Sequence, residues 1–142
     1  MGQIPFPALS FGLAGLLPFL ATALGAALGL WPEFMVSTAL TYGVIILSFM
    51  GGAIWGFAAT QDLDLWRWLG LSVAPALYGF ALLLAWPFSQ TAACAALALG
   101  FGALLVLDRE AQSTGLAPHW WMRLRVLLTT VVVLCLLSFS IT

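Results

Sequence analysis

The sequence predicts an all-α protein of five transmembrane helices, with the N-terminus inside and the C-terminus outside. Composition is the first reason. Hydrophobic residues make up 63% of the 142 and charged ones 6%, against about 25% charged in an ordinary soluble domain. Four arginines and five acids cannot supply the polar surface of a globule this size, so its solvent has to be hydrocarbon. The second reason is run length. The charge-free stretches reach the roughly 20 apolar residues that a helix needs to cross a bilayer, and they are apolar on every face, unlike the short alternating strands of a β-barrel. The third is the placing of charge: five crossings put all four arginines on one side.

The spans follow in order. The run from Met1 to Pro32 holds one helix, about residues 7–30, with Pro7 in the first turn, where its missing N–H is harmless. Glu33 interrupts, and a second helix covers about 33–60, ending at the polar segment Gln61-Asp62-Leu63-Asp64. From Trp68 to Leu107 the chain is charge-free for 40 residues, twice one crossing. Trp86-Pro87-Phe88-Ser89-Gln90 at its middle has a turn-forming proline and an interfacial tryptophan, so the run splits into a hairpin of helices 67–86 and 88–107. The fifth helix, 119–141, follows Pro118 and passes Arg123 and Arg125, whose stems can snorkel to the interface. Pro18 and Pro75 are expected to kink the first and third helices, freeing carbonyls that neighbouring hydroxyls satisfy or that line a small cavity.

The whole chain, 1–142, reads as a single transmembrane domain. No basic n-region marks a signal peptide and no Arg-rich leader marks organelle import, which points to a bacterial inner membrane. Gly2 offers no lipid anchor, because Phe6 stands where myristoylation needs Ser or Thr. The positive-inside rule places the N-terminus, the stretch from Asp62 to Arg67 and the stretch from Asp108 to Arg125 in the cytoplasm. Glu33, the Trp86 turn and Thr142 fall outside.

Several functions are excluded by what is missing. A net charge of −1 leaves no basic face for nucleic acid. Lysine is absent, which removes Schiff-base chemistry. His119 is the only histidine, so the chain cannot alone supply a zinc set or two haem ligands, and beside Trp120 and Trp121 it reads as part of an interfacial belt. Trp31, Trp66, Trp68 and Trp86 read as anchors too, whereas Trp55 lies inside a helix and is expected to pack against another helix or a ligand. Cys94 and Cys135 read as small apolar fillers. Glu33, Asp62, Asp64, Asp108 and Glu110 all fall at predicted helix ends, where water is available, so no ionisable group is expected in mid-membrane. Glu33 either complements a helix dipole or folds inward with Trp31 and Pro32. With no HExxH, CxxC, phosphate loop or Ser–His arrangement, no catalytic, metal or cofactor-binding residue is assigned, and no enzyme is expected.

Two groups of residues remain as candidate sites. Ser48, Gly52, Gly56 and Thr60 recur every four residues, and Gly25 with Gly29, and Ala92 with Ala96 and Gly100, repeat the device. Such lines let backbones approach closely where lipid provides little hydrophobic drive, either inside the chain or, with Trp55, against a partner helix. The second group is Asp108, Arg109 and Glu110 with Trp120, Arg123 and Arg125, read either as a solvated face or as a docking site for a partner or an anionic lipid head group.

Four stretches together carry a resemblance: Leu47-Ser-Phe-Met-Gly-Gly-Ala-Ile-Trp-Gly56, Leu71-Ser-Val-Ala-Pro75, Leu16-Leu-Pro-Phe19, and Asp108 followed by Gly115, Pro118, Trp120, Leu124-Arg125 and Leu128-Thr129. Over nearly its whole length the chain resembles the transmembrane protein 69-like family, the domain-of-unknown-function family numbered 3429. One departure is Trp121, where the family pattern has Tyr. The resemblance implies a small polytopic protein of bacterial inner membranes and mitochondria and no established activity.

The leading functional expectation is a non-enzymatic protein that packs against a larger membrane complex, with membrane lipids and other integral subunits as partners. The resemblance implies the host: a respiratory or photosynthetic energy-transducing complex, served as accessory subunit or assembly factor. One alternative is a small oligomeric transporter, which requires Thr41, Tyr42, Ser48, Ser72 and Tyr78 to converge on one cavity. A lipid, quinone or pigment held between kinked helices is another.

Overall fold

The computed structural model of the chain describes residues 3–61 and 64–140, with the side chain of Trp86 left aside. Expectations placed on Met1, Gly2, Asp62, Leu63, Ile141 and Thr142, and the anchoring role given to Trp86, lie outside the described residues. The described residues form six α-helices and no strand: α1 (Phe6–Ala14), α2 (Leu17–Ala27), α3 (Pro32–Ala58), α4 (Leu65–Ala85), α5 (Gln90–Ser113) and α6 (Trp121–Ser138). A 3-10 turn, Trp86–Phe88, links α4 to α5. Because α1 and α2 run on as one segment, Phe6–Ala27, five segments are long and apolar enough to cross a membrane.

Local chemistry sets the boundaries. Pro18 has no N–H to give the Ala14 carbonyl, and the first span breaks at Gly15 and Leu16. The Gly15 carbonyl at the break accepts a hydrogen bond from the Tyr42 hydroxyl at 3.0 Å, and the Pro18 carbonyl accepts one from Thr22 at 2.8 Å. α4, in contrast, continues through Pro75 as one helix. α2 ends in a Schellman motif, with Gly29 at φ +71° and the N–H groups of Gly29 and Leu30 bonded to the carbonyls of Ala26 and Gly25, each at 2.9 Å. Trp31 follows in the left-handed region at φ 41°, strain worth about 1–3 kcal/mol. Glu33 occupies the first turn of α3 and is exposed, where it complements the helix dipole and does not fold inward. Ser89 caps α5 by accepting from the Ala92 N–H at 3.2 Å.

α3 is the central helix, packed against α2, α4 and α5, while α6 packs mainly on α5. Glycine allows the crossings. A Cβ on Gly43 would stand 2.6 Å from Leu97, one on Gly79 2.7 Å from Val44, and one on Gly100 2.6 Å from Tyr78. The tightest approach is at Gly51, where a Cβ would meet the Ser72 carbonyl oxygen of α4 at 2.4 Å. Phe19, Leu40, Leu47, Ile54, Leu97, Phe101 and Leu136 fill the core, and Phe19 meets Tyr42 and Phe101 edge-on at 5.1 and 6.4 Å.

Two sequence-based placements need correction. Trp68 and Trp121 are buried within the bundle and do not face outward as anchors, whereas Trp31 and Trp66 are exposed. The fourth span does not end at residue 107: α5 continues to Ser113, and α6 begins at Trp121. The charge of Asp108 is no reason for the helix to stop, because it is compensated inside the bundle.

Candidate functional site

Asp108 lies five residues before the end of α5 and Arg125 four residues after the start of α6, which at about 1.5 Å per residue is some 6–8 Å inside the helices. Both are buried, Asp108 completely and Arg125 to 3% exposure. Between them the chain turns at Gly115, φ +79°, and the loop folds back so that Leu116 and Ala117 are buried. The Gln112 side chain accepts from the Met122 N–H at 2.8 Å, capping α6 from α5, and Gln61 reaches the Leu116 carbonyl at 3.4 Å. The α5–α6 hairpin is thereby held in one register.

That register closes a polar cluster inside an apolar bundle. Asp108 Oδ2 accepts from Arg125 Nε at 2.7 Å, and Oδ1 accepts from the indole N–H of Trp121 at 2.8 Å. Trp121 is held in turn by Phe57, edge-on at 5.0 Å. Arg125 Nη1 sits 2.8 Å from the Met50 sulfur, a weak acceptor. Arg125 Nη2 and Thr129 Oγ1 are buried with no hydrogen-bond partner among the described residues.

Arg125 and Thr129 stand one turn apart on the same face of α6, and both line a cavity of about 160 Å³. Its other walls are apolar, among them Phe19, Phe101 and Leu128, and the exposed Phe11 and Phe49 form part of its lining towards the side of the bundle. With both carboxylate oxygens engaged, Asp108 is not a free base. The unused capacity consists of guanidinium N–H and a hydroxyl, so the site is built to receive an acceptor. Among the described residues no three His, Cys, Asp or Glu side chains gather as a metal site.

This arrangement corrects the reading of residues 108–125 as one solvated cytoplasmic face. Arg109 and Arg123 are exposed and Trp120 is half-buried at the rim, but Asp108 and Arg125 are withdrawn from it, and Arg125 does not snorkel. The paired charge is cheaper buried than either group alone. Arg67 and Glu110 form an exposed ion pair between α4 and α5. The four arginines all gather at the end of the bundle where α4 and α6 begin and α5 ends.

The small-residue lines divide. Gly25 faces Met35, its Cβ position 2.9 Å from the sulfur, and Gly100 and Ala96 both meet Tyr78, whose hydroxyl donates to the Ala96 carbonyl at 2.6 Å. These are internal contacts. Gly29 is a helix cap and not a packing residue, since nothing lies within 4 Å of its Cβ position. Ser48 is turned towards Gly79 of α4, while a Cβ on Gly52 or Gly56 would meet nothing within 4 Å. Trp55 is 46% exposed on the same side of α3. The internal crossings at Gly43, Gly51 and Gly79 were not singled out from the sequence.

The polar residues that a permeation path would need do not converge. Tyr42 and Tyr78 bond carbonyls on different helices, while Thr41, Ser48 and Ser72 bond carbonyls of their own, those of Ser37, Val44 and Leu69. A shallow groove of about 580 Å³ between α4 and α5 includes Tyr78 and Glu110 and is otherwise apolar.

A family model described as a protein of unknown function (DUF3429) matches residues 4–141, and the chain belongs to that family. Transmembrane protein 69 of Xenopus tropicalis is 36% identical over 138 residues, which is 94% of this chain and 53% of the relative. Transmembrane protein 69 of Mus musculus is 31% identical over 142 residues, 97% of this chain and 56% of the relative. The chain thus spans about half the length of the curated relatives it matches. No solved structure matches it. The chain is a multi-pass membrane protein, and the relatives, being eukaryotic, do not favour a bacterial membrane over another.

Proposed function

We propose that this DUF3429 member is a non-enzymatic membrane protein that packs, through one face of α3, against a helix of a larger membrane complex, as accessory subunit or assembly factor. The observation behind this reading is the pair Gly52 and Gly56, four residues apart on a side of α3 that the chain leaves uncovered. At Gly43, Gly51, Gly79 and Gly100 this protein uses glycine to bring helices together. Gly52 and Gly56, flanked by exposed Phe49 and Trp55, offer the same close approach to a helix from elsewhere. The proposed host is an energy-transducing complex, respiratory or photosynthetic, in a bacterial inner membrane; that choice follows the membranes implied by the family resemblance.

The test is gentle purification of the tagged protein from native membranes, with native mass and partner identification. Gly52→Leu/Gly56→Leu is expected to lose the partner while keeping its helicity and melting temperature, since both side chains enter open space. Partner recovery equal to wild type would refute the reading.

A further inference from the structure

We propose that the cavity bounded by Arg125 and Thr129 is a binding site for a neutral, carbonyl-bearing lipidic molecule. The cavity borders the partner-facing side of α3 at Phe49, but the groups from which it is argued lie on α6. Its ground is a pair of orphaned groups: Arg125 Nη2 and Thr129 Oγ1 are buried without a partner, each on a residue 3% exposed, and both residues line the same cavity of about 160 Å³. Buried polar groups are almost always hydrogen-bonded, and an unsatisfied one is a strong departure. Here two stand one turn apart on one helix face.

The chemistry of the site narrows the occupant. Asp108 already neutralises Arg125, so a carboxylate or phosphate would place an uncompensated negative charge among Phe19, Phe101 and Leu128. A neutral oxygen acceptor does not. Water fits poorly, because filling the space takes several molecules at about 30 Å³ each, and each needs two to four polar partners. A volume of about 150 Å³ is enough for a benzene-sized ring. The occupant therefore combines an apolar body of about that size with one carbonyl oxygen, which accepts from the Arg125 N–H and the Thr129 O–H. With Phe11 and Phe49 exposed where they line the cavity, entry is from the side of the bundle that faces hydrocarbon.

Two membrane constituents carry this chemistry, a quinone ring and the acyl ester of a glycerolipid. The experiment uses the full chain, delipidated in detergent, and measures thermal stabilisation by three probes: decylubiquinone, a short-chain diacylphosphatidylcholine and n-decylbenzene, which has no carbonyl. Stabilisation by the first or the second, and not by n-decylbenzene, is expected and identifies the source. Thr129→Val keeps the shape, removes the hydroxyl and is expected to weaken the effective probe about fivefold, the weight of one neutral hydrogen bond. No stabilisation by either carbonyl probe, equal stabilisation by n-decylbenzene, or unchanged affinity in Thr129→Val each overturns the proposal. Because Thr129→Val leaves the Asp108–Arg125 pair in place, folding is preserved in the variant that decides the question.

Discussion

Asp108→Ala leaves the Arg125 guanidinium, 3% exposed, without its counter-charge and the Trp121 indole N–H without its acceptor. Breaking a buried pair by removing one partner costs about 3–5 kcal/mol. The orphaned indole adds about 1–3 kcal/mol if it finds no water, so a loss of about 4 kcal/mol or more is expected. Replacing both charges, Asp108→Leu with Arg125→Met, removes the uncompensated charge and should recover the larger part of that loss, as buried pairs replaced by apolar side chains commonly do, while the Trp121 indole stays without its acceptor. The assay is unfolding in mixed micelles followed by helical circular dichroism, on wild type, the single variant and the double variant. A single variant within about 0.5 kcal/mol of wild type, the range of an ordinary surface substitution, would refute the burial argument. So would a double variant as unstable as the single one, since the damage would then not come from uncompensated charge.

Gly51→Ala drives a Cβ to 2.4 Å from the Ser72 carbonyl and should cost about 1–3 kcal/mol by overpacking the α3–α4 crossing; the same unfolding assay reads it, and wild-type stability would show that the crossing relaxes freely. Tyr42→Phe strips the Gly15 carbonyl of its donor at the α1–α2 break and should cost about 1 kcal/mol, with amide exchange around residues 14–17 rising; unchanged exchange would contradict the role given to the phenol. Gly29→Ala forces a side chain into φ +71°, at about 1–2 kcal/mol, and a variant that melts like wild type would refute the cap assignment.

The five spans were legible because crossing a bilayer is a matter of length and charge, which a sequence displays directly. Which side of each helix faces inward was not legible. Gly51 and Gly52 are neighbours in a helix that is apolar all round, so no periodicity says that the first meets α4 and the second meets nothing. Reading charge as a boundary also misplaced Asp108, whose counter-charge lies 17 positions on and across a loop. A clue was present: Asp108, Arg125 and Thr129 belong to one stretch that carries the family resemblance, and the fold brings them to one place. Trp68 shows the same limit, since a tryptophan near a helix start looks like an anchor whether it points into the bundle or away.

The pairing of α5 with α6 also bears on how the protein enters its membrane. A lone aspartate or arginine carried into the hydrocarbon on a single helix is penalised by about 2.5–3.5 kcal/mol at the bilayer centre, and less towards its edge. α5 inserted by itself would carry Asp108 uncompensated, and α6 by itself would carry Arg125. Synthesis delivers them in that order, separated by only the short turn around Gly115. Side by side, the two helices cancel the buried charges of Asp108 and Arg125 against each other. The Asp108–Arg125 bond thus makes the last two crossings depend on each other, since neither buries its charge cheaply until the other stands beside it.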